Sequence, residues 1–229
     1  MRNKRLILSA TILLGLGLTG LHAQQSNVKK TVGANVTDID GNVYHQIIIG
    51  TQTWMVENLK TKRYRNGDVI ATTIPSTLDI SKEVAPKYQW AYDGDEKNVP
   101  DNGRLYTWYV LTDNRNVCPT GWHVSTDAEW TILVNFLGGD TVALGKLKEA
   151  GTLHWKSPNT ANNESGFTAL PAGNRPDNFE GIGEWAHYWT STESEVKKSL
   201  AYRWLIEGNF IQRDDCSKDC GWVVRCVKD

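Results

Sequence analysis

The residues of this chain with the clearest chemistry are its four cysteines, Cys118, Cys216, Cys220 and Cys226. An even number of cysteines in an exported protein indicates disulfide bonds, and four cysteines allow three pairings. The simplest pairing joins Cys118 to Cys226 and Cys216 to Cys220. In the chain-entropy picture, closing a loop of roughly a hundred residues stabilises a domain by about 4–5 kcal/mol. Free or redox-active thiols are the alternative, whereas zinc is disfavoured because Cys-x3-Cys has no histidine beside it.

The histidines and the familiar catalytic motifs do not indicate an enzyme. After residue 23 the histidines are His45, His123, His154 and His187. The sequence has no Gly-x-Ser-x-Gly turn, no His-Glu-x-x-His helix and no phosphate-binding loop. Most of these histidines lie among apolar or β-forming neighbours, so we interpret them as packed or hydrogen-bonded side chains. No catalytic residue is predicted, and a non-enzymatic protein is the favoured interpretation.

Acidic residues offer two further possibilities, and neither is favoured. Asp177, Glu180 and Glu184 share a glycine-rich loop, and pairs of carboxylates cleave glycosidic bonds, but loops of this composition are ordinarily solvated turns. Asp38 and Asp40 resemble the start of a calcium loop, yet the glycine and the glutamate that an EF-hand requires are missing. Turn formation explains these two aspartates without an ion. The sequence therefore predicts no metal and no cofactor.

The amino-terminal residues 1–23 have the pattern of a signal peptide. Arg2, Lys4 and Arg5 precede an apolar stretch over residues 6–21, and a small residue, Ala23, stands at the expected cleavage point. No cysteine follows this point, which argues against a bacterial lipoprotein. We expect an exported protein that begins at residue 24, is not inserted in the membrane after cleavage, and resides in the periplasm, at the cell surface or in the medium. An uncleaved membrane anchor is the alternative.

Charge and size narrow the class of protein further. Residues 1–23 contain three of the 25 basic residues and none of the 26 acidic ones, so the remaining chain has 22 basic and 26 acidic residues and a formal charge near −4. A mildly acidic surface argues against nucleic acid as a partner. About 200 residues suit one domain with a single core. Ten Trp and eight Tyr indicate that this core is rich in aromatic rings.

The pattern along the chain predicts an α+β domain over residues 36–229, after a disordered lead at residues 24–35. Residues 43–49 and 53–56 are β-rich and indicate a hairpin. Residues 66–102 are irregular, and residues 103–111 fit either a short helix or a buried strand. Thr126 and Glu129 form a capping box for a helix that ends at Gly138. A second helix is predicted from Asp140 to Gly151, and strands follow over residues 166–171, 185–190, 200–206, 209–213 and 222–227.

Seven motifs in order resemble one known family. They are Asp40-Gly-Asn-Val-Tyr44, Ile49-Gly-Thr-Gln-Thr-Trp-Met-Val-Glu-Asn-Leu59, Gly103-Arg-Leu-Tyr-Thr-Trp108, Cys118-Pro-Thr-Gly-Trp-His-Val124, Gly166-Phe-Thr-Ala-Leu-Pro-Ala-Gly173, Tyr188-Trp-Thr-Ser-Thr-Glu193 and Val224-Arg-Cys226. Together they resemble the Fibrobacter succinogenes major paralogous domain, a family of unknown function. The resemblance implies a fold similar to C-type lectin-like domains and to the formylglycine-generating (sulfatase-modifying) group, with small antiparallel sheets, two helices and long irregular loops. It also marks Cys216 and Cys220 as a local feature of this chain.

A lectin-like fold implies recognition of a glycan or a protein by loops, and two loops carry suitable amides, carboxylates and an aromatic ring. The predicted binding residues are Asn162, Asn163, Glu164, Asn174, Arg175, Asp177, Asn178 and Trp185. The Glu-Pro-Asn and Trp-Asn-Asp motifs of calcium-dependent lectins are missing, so binding without metal is expected. A surface-structural role remains open. The alternative function is an oxidase that uses Cys216 and Cys220, although neighbouring aspartates are expected to raise the pKa of these thiols.

Overall fold

The structure is a computed structural model that describes residues 33–229. The predicted signal peptide and most of the predicted disordered lead lie outside the described residues. Within the described part, no helix has the length and apolar character needed to cross a membrane.

The described residues form an α+β domain, as predicted, but with four α-helices instead of the expected two and with one parallel strand pair in an otherwise antiparallel arrangement. The strands are β1 (Val36–Thr37), β2 (Val43–Tyr44), β3 (Gln46–Ile49), β4 (Gln52–Met55), β5 (Gln89–Trp90), β6 (Leu105–Tyr106), β7 (Trp122–Val124), β8 (Ala172–Asn174), β9 (Glu180–Ile182), β10 (Trp185–Glu193), β11 (Leu200–Glu207), β12 (Phe210–Ser217) and β13 (Cys226–Lys228). The α-helices are α1 (Val99–Asn102), α2 (Trp108–Leu111), α3 (Asp127–Phe136) and α4 (Asp140–Leu147).

Two sheets make up the body of the domain. The larger has the order β12-β11-β10-β8-β9, in which β10, β11 and β12 are antiparallel neighbours and β8 runs parallel to β10. The smaller has the order β3-β4-β13-β7 and is antiparallel. The last strand of the chain, β13, therefore lies between β4 and β7. Two further pairs, β1-β2 and β5-β6, complete the described sheets.

The two longer helices begin and end for local reasons. The predicted capping box of α3 is confirmed, because the Thr126 hydroxyl accepts from the Glu129 backbone N–H and the Glu129 carboxylate accepts from that of Thr126. The second predicted helix is shorter than expected. It ends at Leu147 instead of Gly151 because Lys148 is extended, at φ −65° and ψ 146°.

Several strand predictions need correction. Of the predicted strand at residues 222–227, only Cys226 and Val227 lie in a strand, β13. Residues 43–49 form two strands instead of one, with His45 between β2 and β3. Residues 166–171 are not a strand, apart from an isolated bridge at Ala169. Gly166 and Thr168 have φ of +72° and +54°, which is incompatible with extended backbone. The strand in this region is β8, which begins at Ala172.

The segment between the first hairpin and α3 is mostly irregular, as predicted. Its strand β5 pairs with β6, with Trp90 opposite Leu105. Residues 103–111, for which the sequence allowed a helix or a strand, contain both: β6 is followed directly by α2 after Thr107.

The core is aromatic, as the composition predicts. The ring of Trp130 on α3 lies 5.2 Å from Trp54, 5.4 Å from Phe167, 5.0 Å from Tyr188 and 6.0 Å from Trp204. All five side chains are buried. Mostly tilted and edge-on arrangements of this kind are favourable for aromatic pairs beyond their burial of apolar area. They hold α3 against both sheets.

A buried arginine and a disulfide fix the last strand. Arg225, fully buried, donates from Nε to Oδ1 of Asn58 at 2.7 Å, and from Nη1 and Nη2 to the carbonyl oxygens of Met55, Phe167 and Thr168 at 2.8–3.0 Å. Burial lowers the pKa of this guanidinium. The next residue, Cys226, forms the predicted disulfide with Cys118 across a sequence separation of 108.

Candidate functional site

A cleft of about 300 Å³ opens between two loops and contains three of the predicted binding residues. Its lining comes from residues 77–81, from residues 175–178 and from Asp219. The predicted residues among them are Arg175, Asp177 and Asn178. Three separate parts of the chain thus meet here, and the volume is at the lower end of the range for small-ligand sites.

The loop at residues 175–179 is positioned by the β8-β9 pair. Asn174 lies opposite Glu180 and Ala172 opposite Ile182, so the loop has fixed ends. Gly173 has φ +67°, and a Cβ atom there would stand 2.6 Å from the backbone oxygen of Glu180 and 2.6 Å from the Tyr92 ring. Only glycine fits this position, which places the backbone of β8 directly against its neighbours.

Arg175 forms the floor of the cleft and holds the opposite loop. It is 1% exposed, and Nε and Nη2 donate to the carbonyl oxygens of Ser76 and Leu78 at 2.9 and 2.7 Å. Its guanidinium lies 4.2 Å from the Trp90 ring centroid, and burial lowers its pKa. The backbone N–H and carbonyl of Arg175 pair with those of Gly221 at 2.9 and 2.7 Å. Arg175 is therefore a positioning residue that links three segments.

The rim of the cleft is acidic and polar. Asp79, Asp177 and Asp219 line it together with the Asn178 amide. The backbone N–H of Ser81 donates to Asp79 and lowers the pKa of that carboxyl. Three carboxylates line the cleft against the single guanidinium of Arg175, so the net local charge is negative. Such a rim can accept hydrogen bonds from hydroxyl and amine groups of a ligand.

The other predicted binding residues lie elsewhere. Asn174 is buried, and its Nδ2 donates to Nδ1 of His187 at 3.1 Å, while the Trp185 ring stacks on His187 with centroids 5.8 Å apart. Nε2 of His187 contacts the Glu207 carboxylate. Burial lowers the pKa of His187, which favours the neutral ring. Asn174 and Trp185 thus contact His187 and do not line the cleft. His187 is a packed, hydrogen-bonded side chain, as the sequence predicts.

The loop that contains Asn162, Asn163 and Glu164 packs on α4 instead of on the cleft. The backbone N–H groups of Asn162 and Asn163 point to the carbonyl of Gly145 at 2.9 and 3.3 Å. Asn163 also accepts from the Thr168 backbone N–H at 3.0 Å and donates to its hydroxyl at 2.8 Å. Asn162 caps its own turn through Glu164 N–H. The Asn163 amide and the Oδ1 atom of Asn162 are therefore engaged within the loop itself.

Sequence reasoning missed residues 77–81 and Asp219. Residues 77–81 belong to the long irregular segment and come about a hundred residues before Arg175. Their only signal was richness in polar turn residues, which does not reveal a distant partner. Asp219 is one of the aspartates near Cys216 and Cys220, for which the sequence predicts only an effect on the pKa of the thiols.

Cys216 and Cys220 are free thiols in the structure, which does not contain the predicted second disulfide between them. Their sulfurs lie 3.2 Å apart, longer than an S–S bond of about 2.05 Å. Cys216 is half-buried and Cys220 is buried. The hydrogen bond between the two sulfurs and the charge of Arg203 lower the pKa of Cys216, whereas that bond and burial raise the pKa of Cys220. Asp214 does raise the pKa of Cys216, as expected, but the hydrogen bond and Arg203 outweigh it, so the net shift at Cys216 is downward.

Two larger and more open clefts, of about 580 and 540 Å³, share Lys62, Glu96 and Arg104. Their charged groups are paired with each other: Glu96 contacts both Arg104 and Lys62. Arg104 also donates to the Lys60 carbonyl at 2.9 Å and to Gln89 Oε1 at 2.9 Å. These charged groups pair with each other, whereas no described side-chain hydrogen bond or ion pair engages Asp177, Asn178 or Asp219, so the smaller cleft is the stronger candidate for a ligand.

Fold and cleft together define a disulfide-closed α+β domain whose candidate site is built from loops. The chain matches the family model of the Fibrobacter succinogenes major domain over residues 47–228, and it belongs to that family. The resemblance seen in the sequence motifs is thereby confirmed. No curated protein and no solved structure matches the chain at a significant level.

Proposed function

We propose that this protein is an exported, non-enzymatic binding domain with a C-type lectin-like arrangement, and that the cleft at Arg175, Asp177 and Asn178 recognises a glycan or a protein. The cleft carries the proposal, because it brings carboxylates and an amide from three segments around one buried arginine. The family is a domain of unknown function, so the proposal rests on this geometry.

The chemistry of the rim narrows the ligand class. A volume of about 300 Å³ holds a single sugar ring or one protruding side chain. Carboxylate and amide oxygens accept from several hydroxyl groups at once, and the negative charge disfavours anionic ligands. A neutral glycan or a basic side chain of a protein is therefore the favoured ligand. A surface-structural role is the outcome if neither binds.

The contacts of the histidines fit their interpretation as packed or hydrogen-bonded side chains. Of those in the described residues, His45, His123 and His154 each lie 2.6–2.8 Å from carboxylates, and His187 contacts Asn174 and Glu207. The described hydrogen bonds place no serine, threonine or cysteine on a histidine ring. Nucleophilic catalysis of the usual kind needs such a contact.

Export is supported by two observations of different kinds. The predicted signal peptide directs the chain out of the cytoplasm, and the Cys118–Cys226 disulfide is typical of an oxidising compartment. We propose the periplasm, the cell surface or the medium as the location.

A matched pair of variants tests the cleft. The exported protein is screened on a glycan array and in pull-down experiments, and the ligand found is titrated against Asp177→Asn and, as control, Glu164→Gln. Loss of a charged acceptor is expected to weaken binding roughly tenfold for Asp177→Asn. Glu164→Gln, on the loop that packs on α4, is expected to leave affinity unchanged. No binding in either screen, or equal binding by both variants, contradicts the proposal.

The second candidate, an oxidase that uses Cys216 and Cys220, is favoured by one observation, the 3.2 Å separation of two thiols. It predicts dioxygen consumption in the presence of a thiol substrate. A Cys216→Ser variant would abolish this consumption. If the unaltered protein consumes no dioxygen, the oxidase candidate is excluded.

A further inference from the structure

The thiol pair lies at the end of an edge strand. Cys216 is the penultimate residue of β12, opposite Ala201 on β11, and β12 is the outer strand of its sheet. Cys220 follows in a turn that its own backbone N–H closes onto the carbonyl of Ser217 at 3.2 Å. This turn holds the sulfurs at 3.2 Å. A bond between them requires a movement of roughly 1 Å, because an S–S bond is about 2.05 Å long.

The two thiols are not equivalent. Cys216 is half-buried and open to solvent on one side, whereas Cys220 is 6% exposed and packed in the core that contains Trp108 and Trp222. The hydrogen bond between the two sulfurs and the charge of Arg203 favour the Cys216 thiolate and lower its pKa. An accessible thiolate beside a sheltered thiol is the arrangement in which one sulfur attacks and the other resolves.

Arg203 is the positive charge that acts on the accessible sulfur, that of Cys216. Arg203 donates to Asp214, opposite it on β12, at 3.1 Å. Lys218 is directed away, since its Nζ contacts Glu193 and lies 4.1 Å from the Trp108 ring centroid. Asp219 acts mainly on Cys220, whose pKa is raised first by its hydrogen bond to Cys216 and by burial.

We propose that Cys216 and Cys220 form a redox-active dithiol that exchanges with the disulfide of a thiol–disulfide exchange partner. The Cys216 thiolate attacks one partner sulfur, the partner S–S bond breaks, and a mixed disulfide forms while the other partner sulfur leaves as a thiolate. Cys220 then loses its proton and attacks Cys216, which breaks the mixed disulfide and releases the second partner thiolate. Two electrons and the one proton of Cys220 pass to the partner, which leaves as one thiol and one thiolate, and the Cys216–Cys220 bond closes.

The exchange is tested on the full exported protein with oxidised glutathione as the probe disulfide. After mild reduction with dithiothreitol, alkylation and mass spectrometry are expected to find two reactive cysteines, at positions 216 and 220. Oxidised glutathione is expected to remove both, and a second reduction to restore them. Peptide mapping should find Cys118 and Cys226 linked throughout. Thiols that stay reactive in oxidised glutathione, or a bond that mild reductant cannot open, would overturn the proposal.

Two serine variants separate the attacking sulfur from the resolving one. Cys220→Ser should accumulate a glutathione mixed disulfide at Cys216, because the resolving thiol is gone. Cys216→Ser should react roughly tenfold more slowly or not at all, because Cys220 is buried and held as the thiol. Equal reaction of the two variants, with circular dichroism showing both folded, contradicts the assigned order. Ligand binding plays no part in these measurements, so they stand apart from the proposed function.

Discussion

The two cysteine pairs lie in opposite structural settings. Cys226 is in β13, which has a neighbour on each side, and both it and Cys118 are buried beside Arg225. Cys216 is in the edge strand β12, and its partner Cys220 lies in a turn. The first pair is a closed bond that fixes the last strand, and the second is an open pair of thiols next to the cleft. The even number of cysteines in the chain does not distinguish the two pairs. Their positions in the sheets separate a structural bond from an exchangeable one.

The largest effect on stability is expected when the Cys118–Cys226 disulfide is removed. A Cys118→Ala/Cys226→Ala double variant is expected to lose about 4–5 kcal/mol of the free energy of unfolding, because a 108-residue loop is no longer closed in the unfolded chain. Denaturant unfolding measures this loss. Cys216→Ala/Cys220→Ala is the matched control, with an expected change of about 1 kcal/mol or less. Equal losses in the two variants would remove the distinction between the pairs.

Arg225 comes next. Arg225→Met is expected to cost about 3–4 kcal/mol, because the carbonyl groups of Met55, Phe167 and Thr168 and the Asn58 amide are left without a buried donor. Thermal and denaturant unfolding give this value. Lys228→Met, at an exposed position of the same strand, is the control and is expected to stay within about 0.5 kcal/mol of the unaltered protein. A small loss at Arg225 would show that the disulfide alone fixes β13.

The third prediction concerns Arg175, which holds the loop beside the cleft. Arg175→Met is expected to cost about 2 kcal/mol, less than Arg225→Met, because only two carbonyl groups lose their donor. The loop at residues 76–78 is also expected to loosen, which faster amide hydrogen exchange there would show. Exchange at the β13 amides should not change. If β13 loosens as well, the two regions are one cooperative unit.

The smallest expected effect is a pH dependence of stability at β7, the outer strand of the smaller sheet. His123 on β7 lies 2.7 Å from both Glu129 and Asp229, and although desolvation lowers its pKa, these two carboxylates raise it overall. The stabilisation is therefore fully present below the unfolded value of about 6.5 and is lost as the pH rises through the higher folded value. Because the side chain is 37% exposed, we expect less than about 1 kcal/mol.

Unfolding of His123→Gln across this pH range is the measurement, and a flatter profile than that of the unaltered protein is expected. Asp229→Asn removes one of the two carboxylates and is expected to give an intermediate profile. Stability that rises with pH in the unaltered protein, but not in His123→Gln, would show that the sign is wrong.

Local patterns predicted the local structure well. The capping box at Thr126 fixed the start of α3 because both of its hydrogen bonds span three residues. The end of α4 was placed too late, since nothing in the sequence marks Lys148 as extended. Strand β12 was predicted only to Arg213, because Asp214 and Asp215 are poor strand formers; in the structure they pair with Arg203 and Ser194.

The candidate site was predicted only in part for the same reason. Arg175, Asp177 and Asn178 share one loop and could be chosen together from composition. Their partners at residues 77–81 depend on hydrogen bonds that join Arg175 to Ser76 and Leu78, across a sequence distance of 97–99 residues. No local pattern encodes that contact.

The Cys118–Cys226 bond makes residues 118–226 a covalent ring, and this ring includes α3, α4 and the 175–178 loop. Two exposed apolar residues on the ring, Leu153 and Val196, are suitable points for protease attack. A single cut at either point opens the ring without dividing the molecule. A nicked protein would therefore keep its full mass on a non-reducing gel and separate into two fragments only after reduction.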